Sequence, residues 1–195
     1  MSSQTFDIPI VILVGGQSKR MGSPKHQLII DGEPIWERIV KVARMVSDNV
    51  FISCRKDQKT EFESPVILDQ YEEIGPMGGI LSSFEQLQYP SILFLASDNP
   101  LVRHETLLEL IAANDSSVAA TCAKVVGSDY PEPLYSIWNR VAQSLLLQQH
   151  LLGKYSLIKT LSKCDIKTIN ISNLSASNIN SPEDFSELTK RLRDQ

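Results

Sequence analysis

Two rhythms of apolar residues run through the chain and predict its elements. Unbroken apolar runs at Ile8–Val14, Val50–Ser53, Val66–Leu68, Ile92–Ala96, Val118–Cys122 and Ile166–Ile169 have the length of short strands, and several carry the Ile and Val content of strands covered on both faces. Between them the apolar positions fall into helical spacing. Ile35, Ile39, Val42, Ala43 and Val46 recur three and four apart, and Leu107, Leu108 and Ile111 follow a polar start at His104. Met77–Leu87 and Arg140–Leu152 are further helical stretches. Ser181-Pro182-Glu183-Asp184 opens a last helix, with a cap residue, proline at the first helical position and acids in the first turn. Asp31-Gly32 turns the chain between the short apolar segment Leu28–Ile30 and the helix that begins near Ile35. Strands alternating with helices predict an α/β fold: a three-layer α/β/α sandwich around a mostly parallel, Rossmann-like sheet. No repeat, low-complexity tract or linker interrupts the order, so residues 1–195 are expected to form a single domain.

Composition narrows the function classes. An apolar fraction of 42% over 195 residues is ample for one continuous core. The net charge is −4 and the basic residues are scattered among acids, which argues against a surface that neutralises a nucleic-acid backbone. The apolar run near the N-terminus has no basic flank before it and no cleavage site after it, so it reads as a buried strand rather than a leader. No other stretch approaches the roughly 18–20 apolar residues of a membrane span. A soluble protein with neither nucleic acid nor membrane as partner is expected. Cys54, Cys122 and Cys164 lie too far apart for a disulfide framework or a metal pair, and as buried free thiols they imply a reducing cytoplasm. His26, His104 and His150 have no clustered spacing, and surface or cap roles are expected of them.

Directly after the first strand comes a polar loop, Gly15-Gly16-Gln17-Ser18-Lys19-Arg20-Met21-Gly22-Ser23-Pro24-Lys25. In open α/β sheets ligands bind beyond the carboxyl ends of the strands, where glycines let backbone N–H groups converge on an anion. Lys19, Arg20 and Lys25 add charge-assisted hydrogen bonds, enough to neutralise a triphosphate. The alternative is an ordinary basic surface turn. The spacing matches neither the Walker phosphate loop nor the dinucleotide fingerprint.

Carboxylates close other strand candidates at the same edge. Ser97-Asp98-Asn99-Pro100 follows the run that ends at Ala96, and Asp98 is the residue type that binds Mg²⁺ together with substrate phosphates; the competing role is a turn or helix cap. Asp69 follows Leu68 and precedes the flexible Gly75-Pro76-Met77-Gly78-Gly79, where it reads either as a hydrogen-bonding partner for a ribose or base, or as a loop acid before a helix. Asn178-Ile179-Asn180-Ser181-Pro182 offers amide groups to a metal or phosphate, or a cap to the closing helix.

Leu13-Val14-Gly15-Gly16-x-Ser18-x-Arg20-Met21-Gly22-x-x-Lys25, then Gly75-Pro76-x-x-Gly79, Ser97-Asp98-x-Pro100 and Asn178-Ile179-Asn180-Ser181-Pro182-Glu183 together resemble the molybdenum cofactor guanylyltransferases of the nucleotidyltransferase superfamily. The matches follow the family's order over nearly the whole chain. The resemblance implies the nucleotide-diphospho-sugar-transferase type of fold, Mg²⁺ as cofactor, and GTP and Mo-molybdopterin as substrates. A molybdoenzyme or chaperone would receive the product. Residue by residue, it implies that Leu13, Val14 and Gly15 contact guanine, that Lys25 and Arg20 serve the phosphates catalytically, and that Asp98 is both catalytic and the metal ligand. Gly16, Ser18, Gly22, Ser53, Asp69, Gly79 and Asn180 complete the nucleotide site, and the pterin would lie near Pro133-Leu134-Tyr135. Three positions depart from the family pattern: Val14 where Ala is usual, Ser53 where an Asn often reaches the nucleotide, and Ser97 in place of Cys. They keep open a cytidylyltransferase or another NTP transferase of the superfamily, and a non-catalytic nucleotide-binding adaptor is the alternative from a different class.

Overall fold

The computed structural model describes residues 5–14, 27–172, 179 and 181–193. Strands β1 (Ile10–Leu13), β4 (Val50–Cys54), β5 (Val66–Leu68), β6 (Ser91–Ala96), β7 (Ala120–Val125), β8 (Glu132–Asn139) and β9 (Ile166–Ile171) form a seven-stranded sheet in the order β5-β4-β1-β6-β8-β7-β9. Only β8 runs against the others, so the sheet is mostly parallel, as the alternation of elements predicts. Short strands β2 (Ile29–Ile30) and β3 (Glu33–Pro34) make a separate hairpin. Its two-residue turn has Asp31 at φ 52° and Gly32 at φ 81°, the left-handed pair that a tight hairpin of matching twist requires.

Helices cover both faces. α1 (Ile35–Arg44), α3 (His104–Ala113) and α6 (Pro182–Arg193) pack on one face through Ile35, Ile39, Leu107, Leu110 and Leu188. α2 (Pro76–Gln86), α4 (Gln143–Leu151) and α5 (Leu157–Leu161) pack on the other through Met77, Ile80, Phe84, Leu146 and Leu161. β1 lies between these layers with all four residues buried, which is why its sequence is an unbroken apolar run. Each such side chain, removed from water, stabilises the fold by about 1.5–3 kcal/mol before chain entropy is counted. The chain leaves β1 through α1 to one side of the sheet and returns through α2 to β6 on the other. The carboxyl ends of β1 and β6 therefore flank a topological switch point, where open α/β sheets bind ligands.

Several element boundaries differ from those read from the sequence. The run expected at Val118–Cys122 is a strand at Ala120–Val125, and Arg140–Ala142 is a 3-10 turn that precedes α4. The whole of β8 lacked a continuous apolar run because Ser136 and Asn139 lie inside it, both fully buried. Their polar atoms are satisfied internally. Ser136 Oγ donates to the Pro133 carbonyl (2.7 Å), while Asn139 Nδ2 donates to the carbonyls of Asp115 (2.8 Å) and Val118 (2.9 Å) and its Oδ1 accepts from Ser91 Oγ (2.6 Å). Helix α5, a single turn and a half capped by Ser156, is too short to show a period in the sequence.

Candidate nucleotide-binding site

Six strand ends and one strand beginning meet at one edge of the sheet, and the described site residues stand there. On the α2 side, Ser53 at the end of β4 donates through Oγ to Asp69 Oδ1 at 2.5 Å, and the Asp69 amide donates to the Cys54 carbonyl at 2.9 Å. Gly79, in the second turn of α2, faces this pair. A Cβ there would lie 2.6 Å from Ser53 Oγ, 2.7 Å from Leu13 Cδ2 and 3.6 Å from Asp69 Oδ1, so only glycine lets the helix approach so closely. The carboxyl of Asp69 is pushed upward by burial, against the opposing pull of the Ser53 hydroxyl and the Arg55 charge. A half-buried acceptor held in one orientation suits a ligand that brings its own N–H or O–H donors.

Leu13 and Val14 point to different layers. Leu13 belongs to the apolar cluster on the α2 face and abuts Gly79, whereas Val14 belongs to the cluster on the α1 face. The extra bulk at Val14 is thus taken up in the core. Ser53 spends its hydroxyl on Asp69, and so it orients that carboxylate.

On the other side of β1, the loop after β6 is tied down by three backbone contacts. The Ser97 amide donates to the Leu13 carbonyl (3.2 Å), the Asn99 amide to the Ala96 carbonyl (3.4 Å), and the Ile179 amide to the Asp98 carbonyl (2.8 Å). The last contact brings the C-terminal Asn178-Ile179-Asn180 stretch to Asp98 from 81 residues away in sequence, anchored by Ile179 in the core. Gly15, Gly16, Ser18, Arg20, Gly22, Lys25 and Asn180 lie outside the described residues. Among the described residues no group of three or more His, Cys, Asp or Glu side chains is placed to hold a metal by itself.

Other expectations are corrected. Tyr135 is 2% exposed and its hydroxyl accepts from the Arg103 amide at 3.2 Å, which takes its side chain out of the surface where the pterin was placed. His150 is no cap: its ring packs edge-on to Tyr71 at 5.1 Å and lies 6.0 Å from the ring of Tyr155. His104 pairs with Glu105 at the start of α3. Cys54 and Cys122 are buried free thiols, raised by burial to about 11 and about 12, while Cys164 is only half-buried. The sequence reading passed over Glu132. It is the first residue of β8 and half-buried, and its carboxyl is pushed up by burial and by the charge of Asp98. Only the antiparallel course of β8 reveals that these two acids are neighbours.

A doubly covered α/β sheet with a glycine-rich segment leaving its central strand and carboxylates on both sides of that strand defines a nucleotidyltransferase. The chain belongs to the MobA-like NTP transferase family, whose domain model matches residues 10–165. It is 31% identical over 183 residues to the molybdenum cofactor guanylyltransferase of Pseudomonas putida, an alignment covering 89% of this chain and 93% of that protein. It is also 31% identical over 184 residues to the molybdenum cofactor biosynthesis bifunctional protein of Synechocystis; there the match covers 91% of this chain but only 52% of the longer relative. Among solved structures, molybdopterin-guanine dinucleotide biosynthesis protein A from Archaeoglobus fulgidus shares the fold, with a TM-score of 0.82 and 22% identity over 96% of this chain and all of that one (100%). No helix among the described residues is long and apolar enough to cross a membrane.

Proposed function

We propose that this protein transfers GMP from GTP to Mo-molybdopterin, giving the guanine dinucleotide form of the cofactor and pyrophosphate. The observation that carries the reading is the pair of carboxylates set on either side of the end of β1, Asp69 with Ser53 and Gly79 on one side and Asp98 with Ile179 on the other. The family membership and the printed names of the relatives support the choice of nucleotide and acceptor.

In this reading Asp69 accepts hydrogen bonds from the nucleoside, oriented by Ser53, and Leu13 closes the site from below. Gly15, Gly16, Ser18 and Gly22 supply backbone N–H groups to the triphosphate, with Lys25 and Arg20 matching its charge. Asp98 fits a divalent cation by donor chemistry: a hard carboxylate oxygen at the sheet edge, with substrate phosphates and water to complete the sphere, as Mg²⁺ prefers. When bound, Mg²⁺ neutralises charge on the phosphates and orients the leaving pyrophosphate. Asn180 supports the same region.

An oxygen of the acceptor phosphate attacks the α-phosphorus of GTP in line, and the bond to the bridging oxygen of the β-phosphate breaks as pyrophosphate departs. The acceptor phosphate is already ionised at neutral pH, so no side chain has to remove a proton. The residues act by positioning and by electrostatic stabilisation. Pyrophosphate release with Mg²⁺, GTP and Mo-molybdopterin, run beside CTP and a control without acceptor, tests the reading. Release with GTP alone upholds it. Release with CTP alone keeps the chemistry and reassigns the base, and nucleotide binding without release in any mixture makes the protein a binding adaptor.

A further inference from the structure

Glu132 stands where the sheet brings a second carboxylate to Asp98. Strands β6 and β8 pair Leu93 with Ile137, Phe94 with Ser136 and Leu95 with Tyr135. Continuing that register, one residue for one residue, puts Asp98 across from Glu132. On its other side β8 slips against β7: Cys122 pairs with Ser136, yet the next residue, Ala123, pairs with Glu132, so residues 133–135 bulge out of the ladder. The bulge is held in place, because the Pro133 carbonyl accepts from both Ser136 Oγ (2.7 Å) and Trp138 Nε1 (3.0 Å). Bulges beside functional sites re-aim a side chain, and this one governs Glu132.

Like charges on facing strands repel, and the field of Asp98 acts on the Glu132 carboxyl. Among the described residues no cation pairs with Glu132. A half-buried acid pinned beside another acid weakens the fold unless something positive joins them. We propose that Glu132 is a second oxygen donor to the divalent cation of Asp98, directly or through one of the metal's waters. The inference rests on the metal reading above and adds a ligand to it.

The test is a Mn²⁺ titration of the full chain, followed by electron paramagnetic resonance with α,β-methylene GTP present, on wild type, Glu132→Gln and Asp98→Asn. Melting of each metal-free protein in EDTA is measured alongside. Glu132→Gln is expected to weaken Mn²⁺ binding by about 10–100-fold, the usual effect of losing a ligand-shell partner, and to raise the metal-free Tm by removing the repulsion. Mn²⁺ affinity changed by less than about threefold, or a lowered metal-free Tm, overturns the inference; a change that small is below what a lost metal partner produces. If Glu132→Gln does not fold, Glu132→Ser is read by the same Mn²⁺ criterion. Wild-type protein that binds no Mn²⁺ overturns the metal reading and this inference together. Mn²⁺ bound by wild type, lost in Asp98→Asn and kept in Glu132→Gln removes this inference alone.

Discussion

Asp69, Gly79 and Asp98 each carry a distinct expectation at the level of the single residue. Asp98→Ala should leave the fold intact and lower turnover on the order of a hundredfold or more, as the loss of an electrostatic clamp does. Steady-state pyrophosphate release would check it, and near-normal turnover would remove Asp98 from its role. Gly79→Ala gains helix propensity of about 1 kcal/mol but forces a methyl against Ser53 and Leu13, an overpacking that costs about 1–3 kcal/mol. A lower urea midpoint together with weaker nucleotide binding is expected, because Ser53 must move off Asp69. Asp69 is a carboxyl whose folded pKa is raised by burial. Between the unfolded and folded values the native state holds more proton, so its contribution to stability falls as pH rises through that window. Asp69→Asn keeps an acceptor for Ser53 and carries no charge. Its Tm should exceed that of wild type at neutral pH, and the gain should vanish as the pH drops below both pKa values, while GTP binding is lost at every pH. An equal Tm at neutral pH would show that the buried charge is tolerated at no cost.

At the scale of elements, the site depends on where α2 and β8 are held. Arg140 fastens the far end of α2: its guanidinium donates to the carbonyls of Phe84 (3.1 Å), Leu87 (2.6 Å) and Tyr89 (2.9 Å) and lies 5.3 Å over the Phe84 ring. These are the orphan acceptors of a helix end and the turn after it. Arg140→Ala should cost about 2–4 kcal/mol in a urea melt, from lost charge-assisted hydrogen bonds, and leave nucleotide affinity unchanged in the folded fraction. A loss under about 0.5 kcal/mol would mean that water replaces the guanidinium freely. The predicted strands and helices appear wherever an apolar run or a helical period was long enough to read, as in β1, β6, α1 and α3. β8 escaped because its polar residues find partners in Asn114, Asp115, Val118 and Pro133, contacts with no trace in local sequence. With β8 unread, Glu132 was unread too.

The molecule as a whole is a sheet sealed on both faces, and its thiols report on that seal. Cys54 and Cys122 are raised to about 11 and about 12, chiefly by burial, so at neutral pH they are protonated and inaccessible. Native protein should react with a disulfide reagent only at half-buried Cys164, and the other two should react at the rate of unfolding, slowed further by saturating GTP and Mg²⁺. Rapid labelling of Cys54 would show local opening at the end of β4, beside the nucleotide site. Much of this architecture was legible in sequence alone: the class of fold, the strand that launches the glycine-rich segment, and the acids that follow β5 and β6. Those features are local, since the period of apolar residues and the identity of strand-end residues are set by neighbours in the chain. Tertiary structure alone decided the rest. It set Ser53 on Asp69, turned Val14 into the core and Leu13 toward Gly79, joined Ile179 to Asp98, and ran β8 backwards so that Glu132 faces Asp98. Each of these joins residues distant in sequence through strand order and register, which only the simultaneous burial of both sheet faces selects.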